Sequence, residues 1–434
     1  MTLVRTLAEF VTTADASKLP DLDREILRRH ATDIAGARIL GGLTEEGKRI
    51  GQIFHGDMEG IAGLSGIIRL TEMDDIHTGA TSTPSSISVP VAFSLYQAGQ
   101  DPRELENAIY VGTELLVRFG KAMNGAKALF QGFWPTRSGG TLGAAATASR
   151  ILGLTLEQTE QALSLAILTS AGRGGRFIRE PSGRWIVLAN SVASGLRMAQ
   201  AARHGFTSVE NVLDGEWIGT TMGLAFAETE LTKDLGHSSV FPELSLKPYS
   251  TARQSLGGAE AMLDLVAKGF DPKSIQKICV RVPTSHKGMI SLQLDPHARG
   301  TAFVSAATQI ATAALAPQSL YDVERREILN NPDIAEFAAK VVIIGDEELD
   351  LEFPEIWATE IEAQSSSGVV RSRIRDSIGS PGNRMNDGQL HAKYRKALEW
   401  FGEADRADDL IAIGLDMFRD YRSAERMAKL IKAD

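Results

Sequence analysis

The stretch 132–154, GFWPTRSGGTLGAAATASRILGL, decides the fold of this chain. An aromatic pair and a proline at 133–135 lead into Ser-Gly-Gly at 138–140, which predicts a glycine-rich turn. Residues 143–148 are all small, and small side chains at helical spacing let a second helix approach closely. A glycine-rich turn that leads into a helix also leaves backbone N–H groups free to bind an anion. The stretch predicts such an anion site or, more simply, a buried central helix with a tight entry turn.

The residues on either side divide the chain by periodicity. Apolar residues recur at helical spacing through most of 1–245, which predicts an all-helical domain. The pattern then changes: Ile278, Val280 and Val282 alternate with polar residues, as in a strand. We therefore expect a smaller α+β domain at 246–385 and C-terminal helices at 386–434 that dock on the helical domain. The predicted fold class is mainly α with a smaller α+β domain.

Composition excludes several classes of protein. The 434 residues are 43% hydrophobic and 23% charged, which is ordinary for a globular protein. The net charge of −9 predicts no affinity for nucleic acid or for an anionic membrane surface. No apolar run is long enough to span a membrane, and the N-terminus lacks the apolar core of a signal peptide. A single cysteine, Cys279, excludes an internal disulfide, and we expect a cytoplasmic protein.

Four arginines fall within twelve residues of a polar connection between two predicted helices. Together with one glutamate, Glu180, they give the segment 173–184 a net charge of +3 in an acidic protein. Guanidinium groups bind carboxylates through two parallel hydrogen bonds, so the segment is a candidate anion-binding set. A solvated surface loop explains the same residues equally well. The four arginines are Arg173, Arg176, Arg179 and Arg184.

Six segments of the chain, taken together, resemble the MmgE/PrpD family, whose members include 2-methylcitrate dehydratase, cis-aconitate decarboxylase and iminodisuccinate epimerase. Each segment alone is a weak signal, but their order and spacing run nearly end to end. The resemblance implies a large helical domain, a smaller α+β domain and a homodimer. The segments are DIAGARILGG, DDIHTGATSTPSSISVPVAF, GFWPTRSGGTLGAAATASRILGL, SGLRMAQAARHGFTSVENVLDG, LKPYSTARQSLGGAEA and GSPGNRMNDGQLHAKYRKAL.

The chain departs from the family pattern at several histidines that the resemblance would place in the active site. Thr83, Trp134, Val187 and Leu256 stand at or next to positions where the family has histidine, and Arg184 replaces a lysine. The resemblance retains Asp74, Asp75, Lys247, Tyr249 and Arg253. We therefore expect a changed substrate, and the indole of Trp134 favours one with an apolar part.

Proton transfer requires an acid and a base, and four residues are candidates. Asp75 lies two residues from His77, and a carboxylate beside an imidazole can fix its tautomer and raise its pKa. The same pair could instead only hydrogen-bond a loop. Tyr249 could donate a proton if Lys247 lowers the pKa of the phenol, or it could be structural.

A second set of residues is predicted to hold the substrate rather than to move protons. Arginines in it would bind the carboxylates of the substrate. The set comprises Thr83, Trp134, Arg137, Arg176, Arg184 and Arg253.

These residues predict a cofactor-independent lyase that acts on a small carboxylate, and the family resemblance implies one like 2-methylcitrate dehydratase. No Cys/His/Asp cluster has the spacing of metal ligands, and we expect neither a metal nor a cofactor. An epimerase or a cyclase-type isomerase on the same fold is the second hypothesis. A homologue that binds a ligand without turnover is the third.

Overall fold

The computed structural model describes residues 1–170, 172–174, 182–215, 217–353, 356–366 and 368–432. Arg176 and Arg179 therefore lie outside the described residues. The chain is mainly α-helical with a smaller α+β part, as predicted. It divides into two compact units. The first contains the described parts of Met1–Arg176, Gly183–Ser245 and Asp405–Asp434, and the second contains Ser182 and the described parts of Leu246–Ala404.

Among the described residues, twelve α-helices of the first unit precede residue 245, and two more lie within 405–432. Leu27, Leu116 and Val192 are among the fully buried residues of its core. The twelve are α1 Leu3–Thr13, α2 Asp21–Leu43, α3 Glu45–Ile53, α4 Asp57–Arg69, α5 Ser85–Leu95, α6 Arg103–Ala122, α7 Gly125–Phe130, α8 Pro135–Ile151, α9 Leu156–Leu168, α10 Gly183–Arg203, α11 Trp217–Met222 and α12 Thr229–Thr232.

The first unit also contains two very short strands, so the prediction that residues 1–245 are entirely helical is wrong in this detail. β1, Ile76–His77, pairs antiparallel with β2, Leu244–Ser245. A two-residue strand is too short for sequence periodicity to reveal. This pairing fixes the polar loop 71–84 against the segment at 244–245, after which the chain enters the second unit.

Helix α8 forms the centre of the first unit, and its small residues admit two neighbouring helices. A Cβ on Gly143 would lie 3.0 Å from the Leu116 Cβ of α6, and a Cβ on Gly195 of α10 would lie 2.9 Å from the Ala144 Cβ of α8. The contact at Gly195 is shorter than packed side chains tolerate, and the contact at Gly143 leaves no spare room, so the missing side chains permit the close approach of both helices. The predicted buried central helix is confirmed. The predicted turn at 138–140 is wrong, because Pro135 begins the helix and those residues lie inside it.

The second unit contains a four-stranded sheet in the order β4-β3-β5-β6. β3 and β4 run parallel, whereas β5 and β6 form an antiparallel hairpin in which Ser365 pairs with Gly368. The strand that was expected from the alternation at 278–282 is present. The sheet comprises β3 Ile275–Val282, β4 Val341–Gly345, β5 Thr359–Ser365 and β6 Gly368–Ile374.

Seven α-helices complete the described part of the second unit, and two C-terminal helices belong to the first unit. α20, Arg406–Asp416, and α21, Tyr421–Lys432, pack on α2 and α5. The helix at 387–399, which the sequence analysis grouped with this tail, belongs to the second unit. The seven are α13 Arg253–Ala267, α14 Thr284–Ile290, α15 Gly300–Val304, α16 Ala306–Leu315, α17 Pro332–Ala338, α18 Glu347–Asp350 and α19 Asp387–Glu399.

Candidate functional site

A guanidinium lies against two indoles at the start of α8. The Cζ atom of Arg184 is 4.5 Å from the ring centroid of Trp134 and 5.1 Å from that of Trp185. The two indoles meet edge to face with centroids 6.4 Å apart. Cation–π contacts of this kind hold a guanidinium plane in one orientation. Trp134 is only 4% exposed, so it would act on a substrate chiefly by orienting Arg184.

A second arginine, Arg69, extends this arrangement into an ionic network that the sequence did not reveal. Its Cζ is 5.3 Å from the Trp185 centroid, and its guanidinium pairs with Asp74 and, at 2.9 Å, with Glu72. Burial opposes the charge of Arg69, but the two carboxylates outweigh it and raise the pKa of the guanidinium. Asp74 is thereby committed to Arg69 and serves this network.

Thr83 and Arg137 also lie at the N-terminal end of α8. The backbone N–H of Thr83 donates to the Thr136 hydroxyl at 3.2 Å, which ties the polar loop to the helix. Arg137 donates to the backbone carbonyl of Arg173. Burial lowers the pKa of Arg137. The structure thus brings Thr83, Trp134, Arg137 and Arg184 together in the first unit.

Asp75 and His77 do not pair with each other as expected, because each has a different partner. Asp75 is fully buried and accepts from the Ser85 hydroxyl at 2.5 Å; its Oδ2 is also 3.2 Å from His30 Nδ1. The Ser85 N–H donates to the other carboxylate oxygen at 3.3 Å. These contacts hold the loop that precedes α5, which is the plainer of the two roles considered for Asp75.

His77 forms a hydrogen-bonded chain with Glu243 and Lys121. The Ala80 N–H donates to His77 Nδ1 at 3.0 Å, so the ring proton is on Nε2, which lies 2.9 Å from Glu243 Oε2. Lys121 Nζ is 2.8 Å from the same carboxylate. Burial lowers the pKa of His77, with Glu243 acting in the opposite direction. Burial would raise the pKa of Glu243, but bonds from His77 and Lys121 lower it to about 2.

Three further predicted residues, Lys247, Tyr249 and Arg253, lie in the second unit and are at most 5% exposed. The Arg253 guanidinium donates to the Ser380 hydroxyl at 2.6 Å and lies 5.4 Å from the Trp357 centroid. Burial lowers its pKa.

Tyr249 does not meet the condition that the sequence analysis set for it. Burial raises the pKa of its phenol well above the ordinary value, and the opposing effect of Arg325 and Arg253 does not outweigh it. Its hydroxyl has no hydrogen-bond partner among the described residues. A protonated phenol without a partner can act as a hydrogen-bond or proton donor.

Glu260 on α13 is a titratable residue that the sequence analysis missed. Burial raises the pKa of its carboxyl to about 7, although the Ile378 N–H and Arg253 act in the opposite direction. A carboxyl that titrates near neutral pH suits acid–base chemistry. Glu260 lies within the segment LKPYSTARQSLGGAEA, but nothing in that segment predicts its raised pKa, because the rise depends on burial in the folded second unit.

Other partners were missed for the same reason. Glu243 is 166 residues from His77 in sequence, and His30 is 45 residues from Asp75. Trp185 alone had a readable signal, since it adjoins Arg184. Within the described ranges, no group of three or more His, Cys, Asp or Glu side chains is placed to hold a metal ion.

The fold and the site together define a two-domain protein with a central helix of small residues. At the start of that helix lies an arginine–tryptophan cluster, which comprises Arg69, Arg184, Trp134 and Trp185. Residues 63–228 match the MmgE/PrpD N-terminal domain, and residues 249–417 match the MmgE/PrpD C-terminal domain. The chain belongs to the MmgE/PrpD family. Within the described residues, no helix is long and apolar enough to cross a membrane.

Three curated proteins are similar to this chain at low identity. A cis-aconitate decarboxylase of Aspergillus terreus is 26% identical over 82% of this chain and 78% of its own length. A second cis-aconitate decarboxylase, from Aspergillus terreus (strain NIH 2624 / FGSC A1156), is 25% identical over the same shares. A cis-aconitate decarboxylase-like protein, oryM, of Aspergillus oryzae is 28% identical over 35% of this chain and 33% of its own.

Proposed function

We propose that the protein is a cofactor-independent lyase that acts on a carboxylated small molecule by proton transfer next to a carboxylate. The observation that carries the proposal is the similarity to two cis-aconitate decarboxylases over 82% of the chain. A decarboxylase breaks the bond between a carboxylate carbon and its neighbour and releases CO₂. The bonding pair stays on the neighbouring carbon until an acid protonates it.

The arginine–tryptophan cluster supports the binding half of this proposal. Arg184 is only partly buried and lies against Trp134 and Trp185, so its planar fork is oriented before a substrate arrives. Preorganised guanidinium groups stabilise carboxylate charge without reorganisation during the reaction. We assign carboxylate binding to Arg184, with Arg137 as a second cation at the start of α8.

The second half of the proposal concerns the residue that donates the proton, for which several candidates stand. His77 has both ring nitrogens in hydrogen bonds and is 1% exposed, which favours a positioning role. Tyr249 keeps its proton and its hydroxyl has no partner among the described residues, so it fits the role of a hydrogen-bond donor to the substrate, while its raised pKa makes it a weak acid. Lys247, Asp75 and now Glu260 stay as candidates whose roles substitution would establish.

A substrate panel tests the proposal. The purified chain is incubated with cis-aconitate and with 2-methylcitrate in deuterated buffer, and proton NMR follows the products. Loss of CO₂ from the first substrate or of water from the second supports the lyase. Deuterium exchange next to a carboxylate without net reaction supports the epimerase or isomerase instead. Binding without either change would identify an inactive homologue.

A further inference from the structure

A cavity lies in the first unit, and none of its lining residues belongs to the candidate site. Its volume is about 880 Å³, within the ~300–1,000 Å³ typical of pockets for small organic ligands. Its walls come from α2, α3, α4, the end of α5 and the end of α21.

One wall of this cavity is apolar. Phe54, Ile61, Leu64 and Ile67 line it, and each is between 6% and 9% exposed. These side chains belong to the core of the first unit and present their remaining surface to the cavity. An apolar chain in the cavity would remove that surface from water, which is favourable in proportion to its area.

The wall of the cavity near the end of α21 is polar and cationic. Arg38 Nε donates to the Ile431 carbonyl at 3.1 Å, and Lys432 Nζ lies 3.4 Å from the Tyr96 carbonyl, so both cations lie near the end of that helix. The Ser94 hydroxyl lines the same cavity, is buried, and has no hydrogen-bond partner among the described residues.

The charge of the lining is positive, against the trend of the whole chain. Three cationic side chains line the cavity with one carboxylate, that of Asp57, in a protein of net charge −9. Burial lowers the pKa of Lys432. An anion beside this ammonium would therefore stabilise its charged form. The cations are Arg38, Lys48 and Lys432.

We propose that this cavity binds a carboxylate that carries an unbranched apolar chain, in the manner of a medium-chain fatty acid. The carboxylate is held by Arg38 and Lys432 with the Ser94 hydroxyl, and the chain packs on the wall formed by Phe54, Ile61 and their neighbours. The inference does not depend on the proposed lyase activity, because the two sets of lining residues are different.

The structure offers a variant that reduces the open volume of the cavity at a position with room for a side chain. Gly60 lies on α4 and lines the cavity, and a Cβ built on it meets nothing within 4 Å. Gly60→Leu therefore places an apolar side chain in the open space, and leucine is also the better helix former. Lys432→Gln removes one cation, and Lys429→Gln on the exposed side of the same helix is its matched control.

Titration calorimetry with decanoate, below its micelle concentration, tests the proposal on the full chain. We expect the wild type to bind decanoate but not decyltrimethylammonium, which has the same chain and the opposite charge. Gly60→Leu should abolish binding, Lys432→Gln should weaken it about tenfold, as loss of a charge-assisted hydrogen bond does, and Lys429→Gln should leave it unchanged.

Three results would overturn the proposal. They are no binding by the wild type, binding that Gly60→Leu leaves intact, and equal binding of the cationic analogue. If Arg184→Gln abolishes decanoate binding while Gly60→Leu does not, the ligand occupies the candidate active site and the proposal is also overturned. Unfolding curves of each variant confirm that the fold is retained. Lyase activity without decanoate binding would overturn this inference alone. Decanoate binding without lyase activity would overturn the proposed function alone.

Discussion

Glu260 shows how a single residue acquires its chemistry from its surroundings. Its carboxyl is 9% exposed and accepts the Ile378 N–H at 3.0 Å, yet burial dominates and raises its pKa from 4.5 to about 7. At a pH between 4.5 and 7, Glu260 keeps its proton in the folded protein but has released it in the unfolded chain. The stability that Glu260 contributes is therefore complete below about pH 4.5 and is lost as the pH rises through 7.

Glu260→Gln should remove this dependence, because an amide does not titrate and its oxygen still accepts the Ile378 N–H. Between pH 4.5 and pH 8 the free energy of unfolding of the wild type should fall by about 3 kcal/mol more than that of the variant. Urea unfolding at the two pH values measures the difference, with the exposed Glu399→Gln as control. Equal pH dependence in wild type and variant would show that Glu260 titrates normally.

At the scale of helices, the small residues of α8 and α10 set the distance between elements. A Cβ on Gly195 would lie 2.9 Å from Ala144 Cβ and 3.1 Å from the Ala145 nitrogen. These neighbours belong to a packed helix and cannot move aside independently. Close approach of α10 therefore depends on the missing side chain.

Gly195→Ala should lower the free energy of unfolding by about 1–3 kcal/mol, the usual cost of overpacking. Gly183→Ala on the same helix is the matched control, since its added Cβ meets nothing within 4 Å and alanine favours the helix. Thermal and urea unfolding compare the two. A control that loses as much stability as Gly195→Ala would mean that close packing is not the cause.

The elements that the sequence predicted well are those with a sustained local pattern. The alternation at Ile278, Val280 and Val282 predicted β3, and the small residues after Gly143 predicted a buried helix. The turn predicted at 138–140 was wrong because Pro135 starts the helix, so Gly139 and Gly140 lie inside α8 and are buried. β1 and β2 were missed because their pairing joins residues far apart in the chain.

The site was predictable only in part for the same physical reason. Proximity in sequence suggested that Asp75 orients His77. In the structure, Asp75 is hydrogen-bonded to Ser85 and lies beside His30, whereas His77 is hydrogen-bonded to Glu243. Long-range contacts of this kind leave no local signal. The exception is Arg184, whose partner Trp185 is its neighbour in sequence.

At the scale of the whole molecule, the two units correspond to what the family resemblance implies. We propose that they are the helical and α+β domains of an MmgE/PrpD protein, with α20 and α21 returning to the first. The homodimer and the cytoplasmic location stay predictions. The relatives over 82% of the chain are named decarboxylases, so the chemistry proposed here depends on the whole chain rather than on one motif.

The central claim is that a guanidinium oriented by two indoles holds a substrate carboxylate, and titration of cis-aconitate into the full chain tests it most directly. Arg184→Gln should weaken binding at least tenfold, because a charge-assisted bidentate contact is lost. Arg203→Gln, at the exposed end of the same helix, should bind as the wild type does. Equal affinity of the wild type and Arg184→Gln for cis-aconitate would contradict the account.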